Sequence, residues 1–305
     1  MTEDRDNPLP PETPEPLEPV LQSVEPAPPA DIVPPEVRLP AGQLSAATKR
    51  PLPDDFRVPW DWLDVVPLTV LAVVGTWVTA ILVVRALGVF GVTQAHLRKS
   101  PGMLSVVSVV AQIVLDLGLL AYLAAQMRVR FHSSFWRTIG WRPLETGGIR
   151  RGIACAGLVF GGFALAAGVA LAEPLFPPKH PLPLQTMLQD PRAALLFMLT
   201  AVLVAPVVEE TIFRGYLYPV VARSWGMGAG IMITGAVFGL LHAGQLWGGW
   251  WQIALLVVVG ILFTLARAVT RTVVASYILH ASYNALPVVA DLLSSSGTRR
   301  IPHIH

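Results

Sequence analysis

Seven apolar runs dominate the chain from residue 63 onward. They cover residues 63–90, 103–126, 150–172, 193–221, 228–246, 251–267 and 272–293. Each nears or exceeds the ~20 residues a helix needs to cross the hydrocarbon core of a bilayer. The pattern predicts an all-α fold: a polytopic transmembrane helical bundle of seven to eight spans. The last three runs lie so close together that their ends are the least sharply marked. A break of the last run near Pro287 would make the count even.

Before the first run the apolar pattern disappears. Residues 1–59 hold fifteen of the 28 prolines, with acidic residues between them. Such a stretch buries too little apolar surface to offset the entropy of ordering it. It reads as a disordered, acidic, Pro-rich tail of polyproline II character. It lacks the basic and apolar regions of a signal peptide. The polar end, 294–305, reads as a short C-terminal tail, and 60–192 as a block of N-terminal transmembrane helices.

Basic residues orient the bundle. The loop after the second run carries Arg128, Arg130, Arg137, Arg142, Arg150 and Arg151. The positive-inside rule places that loop, and with it the N-terminus, in the cytoplasm. Arg98 and Lys99 fall on the opposite side and run against the trend. Trp247, Trp250 and Trp251 suit an outer interfacial belt. The Pro-rich loop 173–185 reads as a plain connector. Residues 131–143, aromatic and basic, are expected to lie along the membrane surface. The expected setting is a multi-pass protein of a bacterial inner membrane.

Composition narrows the classes further. The chain is 53% hydrophobic and 14% charged, against about 25% charged in soluble domains. The lipid bilayer is therefore its solvent, and no nucleic-acid partner is expected. Its single cysteine, Cys155, excludes a disulfide framework and a cysteine-rich metal site.

Three charges interrupt the fourth run: Glu209, Glu210 and Arg214 in VVEETIFRGYLYP. A charge at the centre of a span costs about 2.5–3.5 kcal/mol on the insertion scale and marks a functional site by default. Glu210 and Arg214 are four apart, in the order that favours a helical ion pair, and read as a structural brace. Glu209 lies about 100° round the helix from Glu210 and has no local partner. Later runs supply candidates at i, i+4 spacing, Phe238 with His242 and His280 with Asn284. With a rise of about 1.5 Å per residue, Glu209 lies roughly 21 Å from Arg223, and His242 roughly 24 Å from the same turn. His280 and Asn284 lie roughly 14 and 20 Å from Arg271 on the same membrane face. Straight helices would bring all four to one depth. Asp116 and Arg85 are accounted for by local pairing and snorkelling.

A carboxylate, two imidazoles and a carboxamide form a hydrolytic set. Glu209 can take a proton from water and return it to a leaving amine. His and Asn can donate to a developing oxyanion. Glu209, His242 and His280 also make a His₂Glu zinc set of the catalytic kind. HExxH is absent, so two options stand: a single divalent metal, zinc being the natural one, or no cofactor with Glu209 as the base.

The series Glu209-Glu210-x-x-x-Arg214, Phe238-x-x-x-His242 and His280-x-x-x-Asn284 resembles that of the CAAX protease and bacteriocin-processing (CPBP, or Abi) family. These are intramembrane endopeptidases related to the CAAX prenyl endopeptidase. The resemblance covers roughly residues 193–290, places a CPBP-like catalytic core at 193–293, and implies a membrane bundle of usually eight spans around a polar chamber. It implies that Glu209 activates water beside Glu210, with Arg214 bracing that helix. It further implies that His242 holds the water and that His280 and Asn284 stabilise the oxyanion. It also implies a protein or peptide substrate, membrane-associated, although nothing in the sequence indicates prenyl chemistry. Two other readings remain at this stage: a catalytically silent scaffold or immunity protein of the same fold, and a proton-coupled transporter. The latter class is often built from paired repeats with broken helices, and none is visible.

Overall fold

The computed structural model describes Pro53 and residues 56–297. Most of the stretch read as an N-terminal tail, and the end of the C-terminal one, lie outside the described residues. Among those residues, seven helices are long and apolar enough to cross a membrane: Trp62–Val89, Pro101–Val129, Gly148–Leu175, Pro191–Trp225, Met227–Gly244, Trp250–Thr270 and Val273–Ala290. The chain is a multi-pass membrane protein built of helices. The last helix runs unbroken from Val273 to Gly297, with Pro287 inside it, so the break considered there does not occur. Outward-facing apolar side chains such as Val73, Trp77 and Phe160 are mostly exposed, as a lipid-facing surface requires.

Local signals set the helix ends. Asp61 accepts from the Leu63 backbone N–H, and Asp64 accepts from the Asp61 N–H, forming a capping box for the first span. The fourth and fifth spans are joined by Gly226 alone, at φ 88° and ψ 161°. Only glycine adopts that conformation without strain. This tight reversal packs the fifth span back along the end of the fourth.

Close approach of backbones does the rest. A Cβ on Gly235 would stand 2.5 Å from the Ile261 nitrogen, and one on Gly239 2.6 Å from the Val257 nitrogen. A Cβ on Gly162 would stand 2.5 Å from the Leu279 carbonyl oxygen. These glycines let the fifth span press on the sixth, and the third on the seventh, by the small-residue packing that holds helices together in lipid.

The segment before the first span is fastened to the end of the fourth. Trp60 is fully buried, stacks on Tyr216 at 4.8 Å and donates its indole N–H to the Tyr216 carbonyl at 2.9 Å. Arg223 donates to the carbonyls of Val58 and Trp60. Phe56, inside the stretch read as tail, packs edge-on against Tyr218.

The loops are more firmly packed than their sequence suggests. Residues 131–143 are anchored to the bundle. Their short helix Phe135–Ile139 buries Ile139 against the bundle, and the Trp141 indole donates to Thr211 at 3.0 Å. A Cβ on Gly215 would stand 2.3 Å from Ile139, so a glycine of the fourth span makes room for that helix. In the tryptophan cluster, Trp247 and Trp250 are exposed as a belt requires, whereas Trp251 turns inward to donate to the Ala172 carbonyl. The 173–185 loop is tied down by Leu184 N–H to the Gln245 carbonyl and by buried Leu182.

Candidate active site

The fourth span is where winding departs from the α-helix. Thr200–Val204 and Glu210–Leu217 are π-wound, with the α-helical segment Ala205–Glu209 between them. Such insertions are common at functional sites. In the first π segment the Ala205 N–H reaches back five residues to the Thr200 carbonyl. The next donor in that register would be residue 206, which is proline and has no N–H. The Ala201 carbonyl loses that donor. The Asn284 side chain, from the seventh span, donates to it at 2.7 Å.

Glu209 and Glu210 then diverge. Glu210 is fully buried and receives Arg214 Nη1 at 2.9 Å, so the i, i+4 pair does form. Arg214 also donates to Thr264 Oγ1 and, at 2.9 Å, to the Gly260 carbonyl. Its guanidinium lies 4.4 Å from the centre of the Phe238 ring. Phe263 stacks on the His280 ring at 4.6 Å, and Phe238 meets the same ring edge-on at 5.7 Å. A charged pair this deep needs hydrogen bonds to offset desolvation; Arg214 and His280 both meet Glu210 Oε1, while Oε2 has no hydrogen-bond partner among the described residues. The Phe238 and Phe263 rings add cation–π stabilisation.

Glu209 faces the open side of the site. Its side chain is 24% exposed and that of His242 is 23% exposed, whereas His280 is 4% exposed. Its two oxygens stand 3.9 Å from His242 Nε2 and 3.7 Å from His280 Nε2. Neither contact is a direct hydrogen bond. The other nitrogen of each ring is committed. His242 Nδ1 lies 2.8 Å from the Phe238 carbonyl, which can only accept, so Nδ1 carries the proton. The fifth span's α-helix ends at Leu241, so this ring also serves one of the carbonyls left over in its last turn. His280 Nδ1 lies 2.9 Å from Glu210, whose carboxylate accepts in the same way. In the neutral rings both Nε2 atoms therefore turn unprotonated lone pairs toward Glu209.

These three side chains are the natural donors for a His₂Glu metal site. Around a tetrahedral zinc, ligand atoms about 2.0–2.1 Å from the metal stand about 3.3 Å apart. The gaps here are wider, and among the described residues no group of three or more His, Cys, Asp or Glu is arranged to hold an ion. The donor set as it stands is wider than a tetrahedral zinc requires, and no step below is routed through a metal.

The fold brings together Glu209, Glu210, Arg214, Phe238, His242 and His280. Asn284 is directed instead to the fourth-span backbone. The sequence reading missed Phe263, Thr264 and the Gly260 carbonyl, for which no motif offers a signal. Asp116, assigned to local pairing, does pair locally, with Gln112 at 2.7 Å, and it lies within electrostatic range of Glu209.

Residues 191–286 match the family described as type II CAAX prenyl endopeptidase Rce1-like. That range takes in the fourth to sixth spans, most of the seventh, and every residue gathered above except Asp116 and Gln112. Comparisons with curated proteins and with solved structures return no match. Residues 191–286 form a domain of the CAAX prenyl endopeptidase (CPBP) family, a family of proteases.

Proposed function

We propose that the protein is an intramembrane endopeptidase in which Glu209 activates water for attack on a peptide bond. The observation that carries this reading is the pair of imidazole Nε2 atoms, 3.9 and 3.7 Å from the two Glu209 oxygens, each with its Nδ1 already engaged. A water set among the three can donate one hydrogen bond to Glu209 and the other to an Nε2 lone pair. Its oxygen is then left with a lone pair for the carbonyl carbon. Glu209 takes the proton as the C–O bond forms and returns it to the leaving nitrogen as the C–N bond breaks. No covalent enzyme intermediate is needed.

His280 has a second use. Should its ring take up a proton, Nε2–H would become a donor toward the oxyanion, with Glu210 beside Nδ1 as counter-charge. Asn284 has one N–H engaged with Ala201 and serves first to hold the π-wound backbone that carries Glu209. We assign it a positioning role and leave any oxyanion contact to its second N–H. The substrate class is a membrane-associated protein or peptide, and the arginine-rich face is assigned to the cytoplasm.

The test compares protein termini in membranes of cells carrying wild type or Glu209→Gln at matched expression. New termini that appear only with wild type are the expected result. Identical termini, with a phenotype that survives the substitution, would overturn the enzyme reading in favour of a scaffold.

A further inference from the structure

A second polar site lies at the arginine-rich end of the bundle. A cavity of about 190 Å³ is lined there by Arg57, Arg137, Arg142, Arg267 and Arg271, with Gly140 in its wall. No carboxylate lines it among the described residues. The arginines come from three places in the chain: the approach to the first span, the loop between the second and third, and the end of the sixth. All three lie at one end of the spans. Four of the side chains are exposed around the rim, while Arg267 is only 2% exposed and lies deep.

Several backbone features serve this gathering of charge. Gly140 has φ 100°, and a Cβ there would stand 3.4 Å from Arg267 Nη2. The missing side chain leaves the guanidinium room. The Gly140 carbonyl accepts from the Val273 N–H at 3.0 Å, and Thr272 Oγ1 donates to the Arg142 carbonyl. These bonds tie the 131–143 loop to the turn after the sixth span. Arg271 ends that span at φ 57°, a left-handed position where glycine is the usual residue. An arginine held there against its backbone preference of roughly 1–2 kcal/mol is consistent with a need for its side chain.

Among the arginines, Arg137, Arg142 and Arg271 bring three exposed guanidinium groups to one concavity, where like charges repel one another and the fold holds them together. Guanidinium forks match phosphate oxygens bidentately. The cavity has space for about six waters at ~30 Å³ each, enough for a phosphate group with its ester substituents. Its position at the ends of three spans is the headgroup level of a bilayer. Basic pockets between transmembrane helices at this level bind anionic headgroups.

We propose that this arginine cavity is a binding site for a phosphate group, presented by an anionic lipid headgroup or by a soluble phosphate. The site is separate from Glu209, and its test does not depend on proteolysis. The full chain, purified in neutral detergent, is titrated with dioctanoyl phosphatidylglycerol, dioctanoyl phosphatidylcholine or inorganic phosphate while its thermal unfolding is followed. The expected result is a saturable rise in Tm with phosphatidylglycerol and none with phosphatidylcholine at equal concentration. An equal rise with inorganic phosphate identifies a soluble phosphate as the ligand and keeps the site. Arg137→Gln/Arg142→Gln changes two exposed side chains and is expected to raise the half-saturating concentration about tenfold or more. Arg150→Gln/Arg151→Gln removes the same charge from the same end outside the cavity and is expected to leave it unchanged. No rise with phosphatidylglycerol or phosphate in wild type would overturn the proposal. So would equal binding by the two double variants.

Discussion

Glu209 and Glu210 are consecutive residues of one type, yet the bundle treats them oppositely. Glu210 is sealed: Arg214 and His280 hold it at 2.9 Å, and the Phe238 and Phe263 rings close around its two partners. Glu209 has no direct hydrogen bond to either histidine and stands on the open side of the same cluster. A carboxylate whose partners are all protein groups stabilises a structure. One whose nearest partners stand a water's width away is free to do chemistry. On the proposed mechanism, scaffold and reaction fall to neighbouring positions, and each of the following experiments strains one side of that contrast.

The largest effect is expected at Glu209. Glu209→Gln removes the base and should lower proteolysis by about 10²–10⁴-fold, with a thermal unfolding midpoint close to wild type. A large fall in Tm would mean that Glu209 is structural too, and the contrast would collapse. The complementary change is Glu210→Gln or Arg214→Met. Removing one member of a buried pair costs about 3–5 kcal/mol, while replacing both members with well-packed neutral residues is often far less disruptive. Chemical unfolding should therefore find each single variant strongly destabilised, and Glu210→Gln/Arg214→Met less so than the sum of the two.

A smaller effect separates two roles for Asn284. Asn284→Ala leaves the Ala201 carbonyl without its donor, a loss of about 1–3 kcal/mol. Pro206→Ala restores a backbone N–H next to that carbonyl. If activity lost in Asn284→Ala returns in the double variant, Asn284 acts through the backbone that carries Glu209. If stability returns while activity does not, Asn284 contacts the substrate, as the family resemblance implies. The smallest effect is expected from metal removal. Because the donor gaps are wider than a tetrahedral zinc requires, proteolysis assayed with and without 1,10-phenanthroline should be unchanged. Loss of activity that zinc restores would show that Glu209, His242 and His280 close on an ion in the working enzyme.

Much of this was legible in the chain. The seven spans follow from the length of the apolar runs, and the structure moves their ends by only a few residues. The family resemblance, drawn on the three short motifs, is matched over residues 191–286. The Glu210–Arg214 pair is local, so helical spacing was enough to anticipate it. The estimate of common depth worked for Glu209, His242 and His280. It failed to foresee the partner of Asn284 because it assumed straight α-helices. Pro206 and Pro219, inside an otherwise helical run, were the signal that the fourth span could not remain regular. They mark lost backbone donors, yet they do not say which neighbouring span will compensate.

The sequence alone determined that this chain crosses a membrane as helices: hydrocarbon allows only helices or closed barrels, and continuous apolar runs near ~20 residues suit helices rather than the shorter strands of a barrel. It also determined that charges inside those helices need partners. Only the tertiary structure decided which partners. The His280–Glu210 bond joins residues 70 positions apart, and the Asn284–Ala201 bond residues 83 apart. Which imidazole nitrogen faces Glu209 depends on what holds the other nitrogen. The arginine cavity depends on three distant segments meeting at one end of the bundle. Such contacts are set by how close the spans approach, to which the glycines between the fifth and sixth spans and between the third and seventh contribute. No spacing along a single helix encodes that distance.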